Sequence, residues 1–176
     1  TDLRPEVYAM PEPRSFSTNQ LRRYLGDEAF DAHGAAIKEA LDLIAEHGKN
    51  VGSALKVELS KRAREAMADR VAHWDDEVER GTAAFDDQAL HQDLRGYLKF
   101  LLLLTANYSA VAMNPPYMGS RQMNSDLKSY VKKHYPQSKR DLFAVFMEVG
   151  EQNTQAAGRL GMINQQSWMF LSSYED

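Results

Sequence analysis

The sequence predicts an α-rich α/β chain in which a helical segment comes before a strand, two helices and a second strand. Apolar residues recur at helical spacing through residues 18–106, and the character of the sequence changes at Asn107. Beyond that point, two short apolar segments flank two further helical patterns. With 176 residues, of which 43% are hydrophobic and 10% aromatic, the chain is long and apolar enough to bury a core.

The first half is expected to contain an irregular lead-in and three long helices. Residues 1–17 are rich in proline and show no clear periodicity. Thr18 or Asn19 is expected to cap the first helix, and Gly48 is expected to end it. Two further helices are expected over about 60–80 and 85–106, and the short link between them predicts an antiparallel hairpin.

The second half is expected to contain two strands joined by two helices. Residues 108–113 are mostly apolar and end at a proline pair, which predicts a buried strand. Residues 122–134 and 139–152 are expected to form helices, the second with a capping-box-like start at Ser138. Residues 157–163 are expected to form a strand entered by a glycine turn. This order predicts a parallel crossover unit.

Charge is distributed unevenly along the chain, whose formal net charge is −4. Residues 114–140 carry one acid and six bases, namely Arg121, Lys128, Lys132, Lys133, Lys139 and Arg140. A compact basic stretch in an acidic chain is a candidate contact for a polyanion. The alternative is a solvated helix face.

Several kinds of chemistry are excluded or disfavoured by the composition. The chain has no cysteine, which removes disulfides, thiol nucleophiles and cysteine-ligated metals. Its five histidines show no ligand spacing, so no metal site is expected. The acidic runs 75–77 and 86–87 are interpreted as solvated faces or helix starts. Without a secretory signal or an apolar run long enough to cross a bilayer, a cytoplasmic protein with no membrane partner is expected.

The motif Asn114-Pro115-Pro116-Tyr117, directly after the first expected strand, favours a specific chemistry. Chance occurrence in a chain of this length is on the order of one in a thousand. The prolines fix φ and donate no N–H, and Asn114 is kept out of the α region because a proline follows it. The Asn114 side-chain oxygen and the Pro115 carbonyl can accept both protons of a planar amino group while Tyr117 stacks on the attached ring. The alternative is a proline pair that ends the strand beside a core tyrosine.

This motif resembles motif IV of the S-adenosylmethionine-dependent N6-adenine DNA methyltransferases. The resemblance extends through residues 138–146, 158–163 and 166–173, and is greatest to the PglX methyltransferases of BREX phage-defence systems. It is specific over about 108–176 and loose over the helical first half.

The resemblance implies methyl transfer to adenine N6, with double-stranded DNA carrying a flipped adenine and other phage-defence subunits as partners. It implies part of a Rossmann-like class I methyltransferase fold in residues 107–176, with residues 18–106 as a helical insert. The implied catalytic residues are Asn114, Pro115, Pro116 and Tyr117. Asn114 and the Pro115 carbonyl would orient the amino group, and Tyr117 would hold the flipped ring. The lysines of the basic stretch that could meet phosphates are Lys128, Lys132 and Lys133. Trp168 and Phe170 are expected to be core residues.

One part of the family pattern is missing from the sequence. The glycine-containing strand-to-helix turn that binds S-adenosylmethionine in the family should lie before the motif-IV strand, and residues 1–113 do not supply it. We therefore expect an internal fragment of a larger enzyme, inactive when isolated. Two alternatives stay open: a methyltransferase acting on protein glutamine amides, whose planar amide would fit the same loop, and a non-catalytic helical interaction module.

Overall fold

A computed structural model of the chain describes residues 7–164 and 166, which form two compact units that divide between Ala106 and Asn107. The first unit is helical: α1 (Thr18–Leu25), α2 (Asp27–Val51), a 3₁₀ turn (Gly52–Ala54), α3 (Lys61–Glu79) and α4 (Phe85–Leu104). The second unit is mixed: β1 (Tyr108–Met113), α5 (Ser125–His134), α6 (Leu142–Asn153) and β2 (Thr154–Met162). The prediction of an α-rich α/β chain is confirmed. Within the described residues, no helix combines the length and apolar character that spanning a membrane requires.

The first expected helix is in fact two helices. Ser17, rather than Thr18 or Asn19, caps α1, because its Oγ accepts a hydrogen bond from the Gln20 backbone N–H at 3.2 Å. The Gln20 side chain accepts one in return from the Ser17 N–H at 2.8 Å, which completes a capping box. Gly26 then takes a positive φ of 82°, which ends α1 before α2 begins.

Gly48 does not end α2, contrary to the sequence prediction. It lies buried inside the helix, where a Cβ atom would come within 3.0 Å of the Met10 Sδ atom. The absence of a side chain at Gly48 therefore gives room to the lead-in segment. The helix continues to Val51 and ends at Gly52, whose φ is 59°.

The predicted hairpin of α3 and α4 is confirmed. Arg64 near the start of α3 donates to the Thr105 carbonyl beyond the end of α4, and Asp75 later in α3 contacts His91 and Arg95. Contacts that advance along α3 and retreat along α4 show that the two helices are antiparallel. Gly81, with a φ of 69°, makes the turn between them.

A buried polar network joins α1 to this hairpin. The Tyr24 hydroxyl lies 2.9 Å from His91 Nδ1, and His91 Nε2 lies 2.8 Å from Asp75 Oδ1. Burial raises the pKa of Asp75, but hydrogen bonds from Arg95 and His91 and the nearby charge of Lys99 outweigh it and lower that pKa to about 2. Asp75 is therefore a paired carboxylate between helices. This corrects the interpretation of Asp75 as part of a solvated face.

The second unit contains the predicted parallel crossover. The strands β1 and β2 pair in parallel, with Met113 opposite Met162 at their carboxyl ends, and α5 and α6 connect them. The expected glycine turn into β2 is absent, because β2 begins at Thr154 directly after α6. Gly158 lies instead inside the strand, where the register with β1 is irregular.

The strands are less buried than the sequence predicts. β1 has no fully buried residue, and most residues of β2 are exposed. Gly150 of α6 meets the Leu160 and Met113 side chains, since a Cβ there would lie 2.8 Å and 3.2 Å from their terminal carbons. α6 packs against this sheet, which has only two strands among the described residues, so apolar strand residues stay partly accessible.

Candidate active site

The loop Asn114–Tyr117 leaves the carboxyl end of β1, next to the carboxyl end of β2. The ends of the two strands are held together there, because the Ile163 N–H donates to the Met113 carbonyl at 3.1 Å. Pro115 is buried, whereas Asn114 is exposed and its side chain makes no hydrogen bond to another described residue. The buried proline anchors the loop, and the Asn114 amide stays accessible to a ligand.

Tyr117 is held at two points and still presents part of its ring to solvent. Its hydroxyl donates to the Ile163 carbonyl at 2.9 Å. Its ring meets the Phe143 ring edge-on, with 6.3 Å between centroids and an angle of 64° between planes. The residue is 43% exposed. Tyr117 is therefore not the buried core tyrosine of the alternative interpretation.

The segment after Tyr117 is anchored to the start of α6. The Leu142 N–H donates to the Met118 carbonyl at 3.0 Å, and the Ser120 N–H donates to the Arg140 carbonyl at 2.8 Å. The Met118 N–H also donates to Asp141 Oδ1 at 3.2 Å. Three hydrogen bonds thus fix the exit of the loop.

Asp141, and not Ser138, caps α6. Its Oδ1 accepts from the Phe143 N–H at 3.2 Å, the usual N-cap arrangement. Ser138 lies in the turn before it, where its carbonyl accepts from the Asp141 N–H at 3.3 Å. Ser138 is buried, and its Oγ atom forms no hydrogen bond with a described residue, so it does not cap the helix. The predicted capping-box start at Ser138 is therefore wrong.

A separate basic surface lies on α5. The Asn124 side chain caps this helix by accepting from the Leu127 N–H at 2.8 Å, and Leu127, Tyr130 and Val131 form its buried face. The opposite face carries three exposed lysines, hereafter the α5 lysines: Lys128, Lys132 and Lys133. None of them forms an ion pair with another residue in the described part of the chain. Their charges are therefore directed to solvent or to an anionic partner.

The structure brings Asn114, Pro115, Pro116 and Tyr117 into one exposed loop and places the α5 lysines on one helix face. Their roles stay predictions. Trp168 and Phe170 lie outside the described residues. No group of three potential ligands among residues 7–164 and 166 could hold a metal ion.

Sequence reasoning did not identify the residues that hold the loop: Asp141, Phe143 and Ile163. The first was detectable, since an aspartate directly before an apolar helix start is a cap signal. The contacts of Phe143 and Ile163 with Tyr117 are long-range, and no local pattern indicates them.

Residues 14–176 match the family model described as Eco57I restriction-modification methylase. The chain is 48% identical over 83 residues to the adenine-specific methyltransferase BrxX of Escherichia coli O9:H4 (strain HS). It is 40% identical over 131 residues to the adenine-specific methyltransferase PglX of Lacticaseibacillus casei (strain Zhang). These matches cover 47% and 73% of the chain, but only 7% and 11% of the two relatives.

Proposed function

The chain belongs to the Eco57I restriction-modification methylase family, and on that premise we propose that the complete gene product methylates adenine N6 in DNA. Its relatives are named adenine-specific methyltransferases, one of them BrxX and the other PglX. We propose that the reaction serves phage defence, together with the other subunits of a BREX-type defence system. Because the substrate would be cellular DNA, the cytoplasm is the compartment in which we expect it to act.

The observation that carries this proposal is the position of the loop Asn114–Tyr117. It lies at the carboxyl ends of two neighbouring parallel strands, which is where ligands bind in open α/β sheets. The strand, helix, helix, strand order of the second unit supports its assignment to part of a Rossmann-like methyltransferase core. The loop would then be the edge of the pocket that receives the base.

The loop residues have the chemistry that a planar amino group needs. The target adenine would leave the duplex, at about a few kcal/mol, and enter beside the loop. The exposed Asn114 amide oxygen and the Pro115 carbonyl would accept the two amino protons and so fix the direction of the nitrogen lone pair. Both acceptors are present before the reaction, so they would stabilise positive charge as it develops on nitrogen. No strong base is required.

Tyr117 would hold the base by its ring face. Stacking of a base on an aromatic side chain contributes about 1–3 kcal/mol. The hydrogen bond to Ile163 and the contact with Phe143 fix the ring without covering it, since 43% of the residue is exposed. The ring would thus be preorganised for stacking.

The methyl donor would be S-adenosylmethionine, but the described residues do not supply its main binding turn. The glycines with positive φ, Gly26, Gly52 and Gly81, all lie at helix ends in the first unit, and none follows a strand. We therefore assign no residue of this chain to the cofactor cradle. The contribution that we assign to the chain is to the methyl acceptor.

The α5 lysines favour DNA over a protein amide as the substrate. Three exposed lysines on one face of a ten-residue helix suit the phosphates of a backbone, whereas a glutamine side chain carries no charge that they could neutralise. A planar amide would fit the Asn114 loop, so this charge is the feature that separates the two substrates.

The test is methyl transfer by the complete gene product to unmethylated genomic DNA, with N6-methyladenine measured by mass spectrometry. Asn114→Ala should lower kcat by more than about tenfold, or about 1.4 kcal/mol, with little change in DNA binding. The matched control is Asn19→Ala, which removes an exposed asparagine from α1 and should change neither quantity. Methyl groups found on protein glutamine and not on DNA would contradict the proposal, and kcat retained in Asn114→Ala would remove Asn114 from the mechanism.

A further inference from the structure

One carboxylate oxygen joins the loop to the residue against which Tyr117 packs. Asp141 Oδ1 accepts from the Met118 N–H and from the Phe143 N–H, both at 3.2 Å. Met118 is the residue that follows Tyr117, and Phe143 carries the ring that Tyr117 meets. The same oxygen therefore fixes the backbone on both sides of this ring contact.

We propose that Asp141 is a positioning residue that sets the Tyr117 ring for the flipped base. The inference rests on the proposed function of the loop and names a residue that acts on the base only through Tyr117. Asp141 touches neither base nor donor in this scheme. Its contribution is to keep Tyr117 at one distance and angle from Phe143, so that less loop ordering is needed when the base arrives.

Two other side-chain caps, Ser17 and Ser60, show how Asp141 differs from a cap that bonds only within its own helix. Ser17 bonds reciprocally with Gln20 of its own helix, and the Ser60 Oγ accepts from the Ala63 N–H at 3.1 Å at the start of α3. Asp141 Oδ1 caps its helix and in addition reaches 23 residues back along the chain to Met118. A residue with only a capping role would not need this second bond.

Backbone hydrogen bonds on both sides of Asp141 hold its carboxylate next to the residues that follow Tyr117. Gly119 and Asp141 form an isolated antiparallel bridge, flanked by the Leu142-to-Met118 and Ser120-to-Arg140 hydrogen bonds. Those bonds hold the residues after Tyr117, and the carboxylate accepts from the Met118 N–H, the backbone donor that directly follows Tyr117 in sequence. Loss of the carboxylate should leave the bridge and the Tyr117 bond to Ile163 formed, and should free the Met118 N–H, so that the backbone beside the Tyr117 ring is held less firmly.

The test compares three variants of the complete gene product. Asp141→Ala removes the oxygen, Asp141→Asn keeps an acceptor oxygen at the same place, and Ser60→Ala removes a cap that does not contact the loop. Each is measured for kcat and KM in DNA methylation. Each also carries 3-fluorotyrosine at position 117, whose ¹⁹F resonance reports the surroundings of the ring without any need for activity.

We expect Asp141→Ala to lower kcat by about tenfold or more, and to shift or broaden the ¹⁹F resonance. Asp141→Asn should restore both to near wild-type values, and Ser60→Ala should change neither. An unchanged resonance in Asp141→Ala would overturn the inference, as would equal losses of kcat in the Asp141→Ala and Ser60→Ala variants. If the wild-type protein methylates no adenine, the proposed function fails, while the resonance still decides whether Asp141 positions the ring.

Discussion

Truncation of Tyr117 separates a base-stacking residue from a packing residue. In Tyr117→Ala, the hydrogen bond to the Ile163 carbonyl and the edge-on contact with Phe143 are both lost. Each contributes about 0.5–1.5 kcal/mol, so the free energy of unfolding should fall by about 1–3 kcal/mol. That is less than the roughly 3–5 kcal/mol for an aromatic residue in a core, because 43% of Tyr117 is already exposed. Capture of the base should weaken by about 1–3 kcal/mol.

The assay measures unfolding and base flipping on the same variants. Thermal or denaturant unfolding gives the stability change, and 2-aminopurine at the target position brightens when it leaves the base stack. Tyr117→Phe keeps the ring and loses the bond to Ile163, so it should lose about 0.5–1.5 kcal/mol of stability with nearly unchanged flipping. Phe85→Ala removes an aromatic ring that is 84% exposed on α4 and should change neither measurement.

A specific pair of results would refute a stacking role for Tyr117. If Tyr117→Ala lost about 3–5 kcal/mol of stability while the 2-aminopurine signal stayed at the wild-type level, Tyr117 would be a packing residue. The loop would then lose its proposed stacking platform. A loss of flipping in Phe85→Ala would show that the assay responds to general loss of surface and not to the loop.

Three further predictions concern the DNA surface, the Asp75 network and the packing of β2. Replacing one α5 lysine with alanine should reduce the slope of log Kd against log salt concentration by about 1, whereas Lys49→Ala on α2 should leave that slope unchanged. If the α5 variant had the same slope as the wild type, DNA would not contact the α5 lysines. Because the folded pKa of Asp75 is about 2, below its usual 3.8, its stabilisation is present above about pH 4 and is lost towards pH 2. The stability difference between wild type and Asp75→Asn should therefore shrink over that range, and a constant difference would contradict the pairing. Gly158→Ala should cost about 1–3 kcal/mol in unfolding, since its Cβ would lie 2.6 Å from the Thr154 Cγ2 atom, whereas Gly161→Ala on the same strand has open space and should be nearly neutral.

Periodicity predicted the helices and the crossover because both depend on residues close in sequence. The hairpin of α3 and α4 follows from two apolar stripes and a short link. The break at Gly26 and the continuation through Gly48 could not be told apart in this way, since a glycine inside a helical pattern can end it or make room for a neighbour. At Gly48 the neighbour that takes this room is Met10, which lies 38 residues earlier in sequence and so beyond any local pattern.

The burial of the strands and the contacts of the loop could not be predicted from local sequence patterns, because both depend on segments far apart in the chain. The apolar residues of β1 show that the strand can be buried. How far it is buried depends on how many other elements pack around it, which the local sequence does not show. The Asn114–Tyr117 loop was predicted from its motif and its position after an expected strand, because the two prolines restrict their own backbone and that of Asn114 locally. The anchoring of Tyr117 by Asp141, Phe143 and Ile163 depends on segments that meet only in the folded second unit.

The two-stranded sheet has a consequence for how the second unit moves. Within the described residues each strand has one hydrogen-bonded neighbour, and the pair depends on α6 packing against it, because two strands alone are marginally stable. Amide hydrogen exchange should therefore be faster along β1 and β2 than in the paired helices α3 and α4, which reflects a lower free energy of local opening. The Asn114–Tyr117 loop is attached to these strands, so its preorganisation depends on how firmly the ends of β1 and β2 are held together.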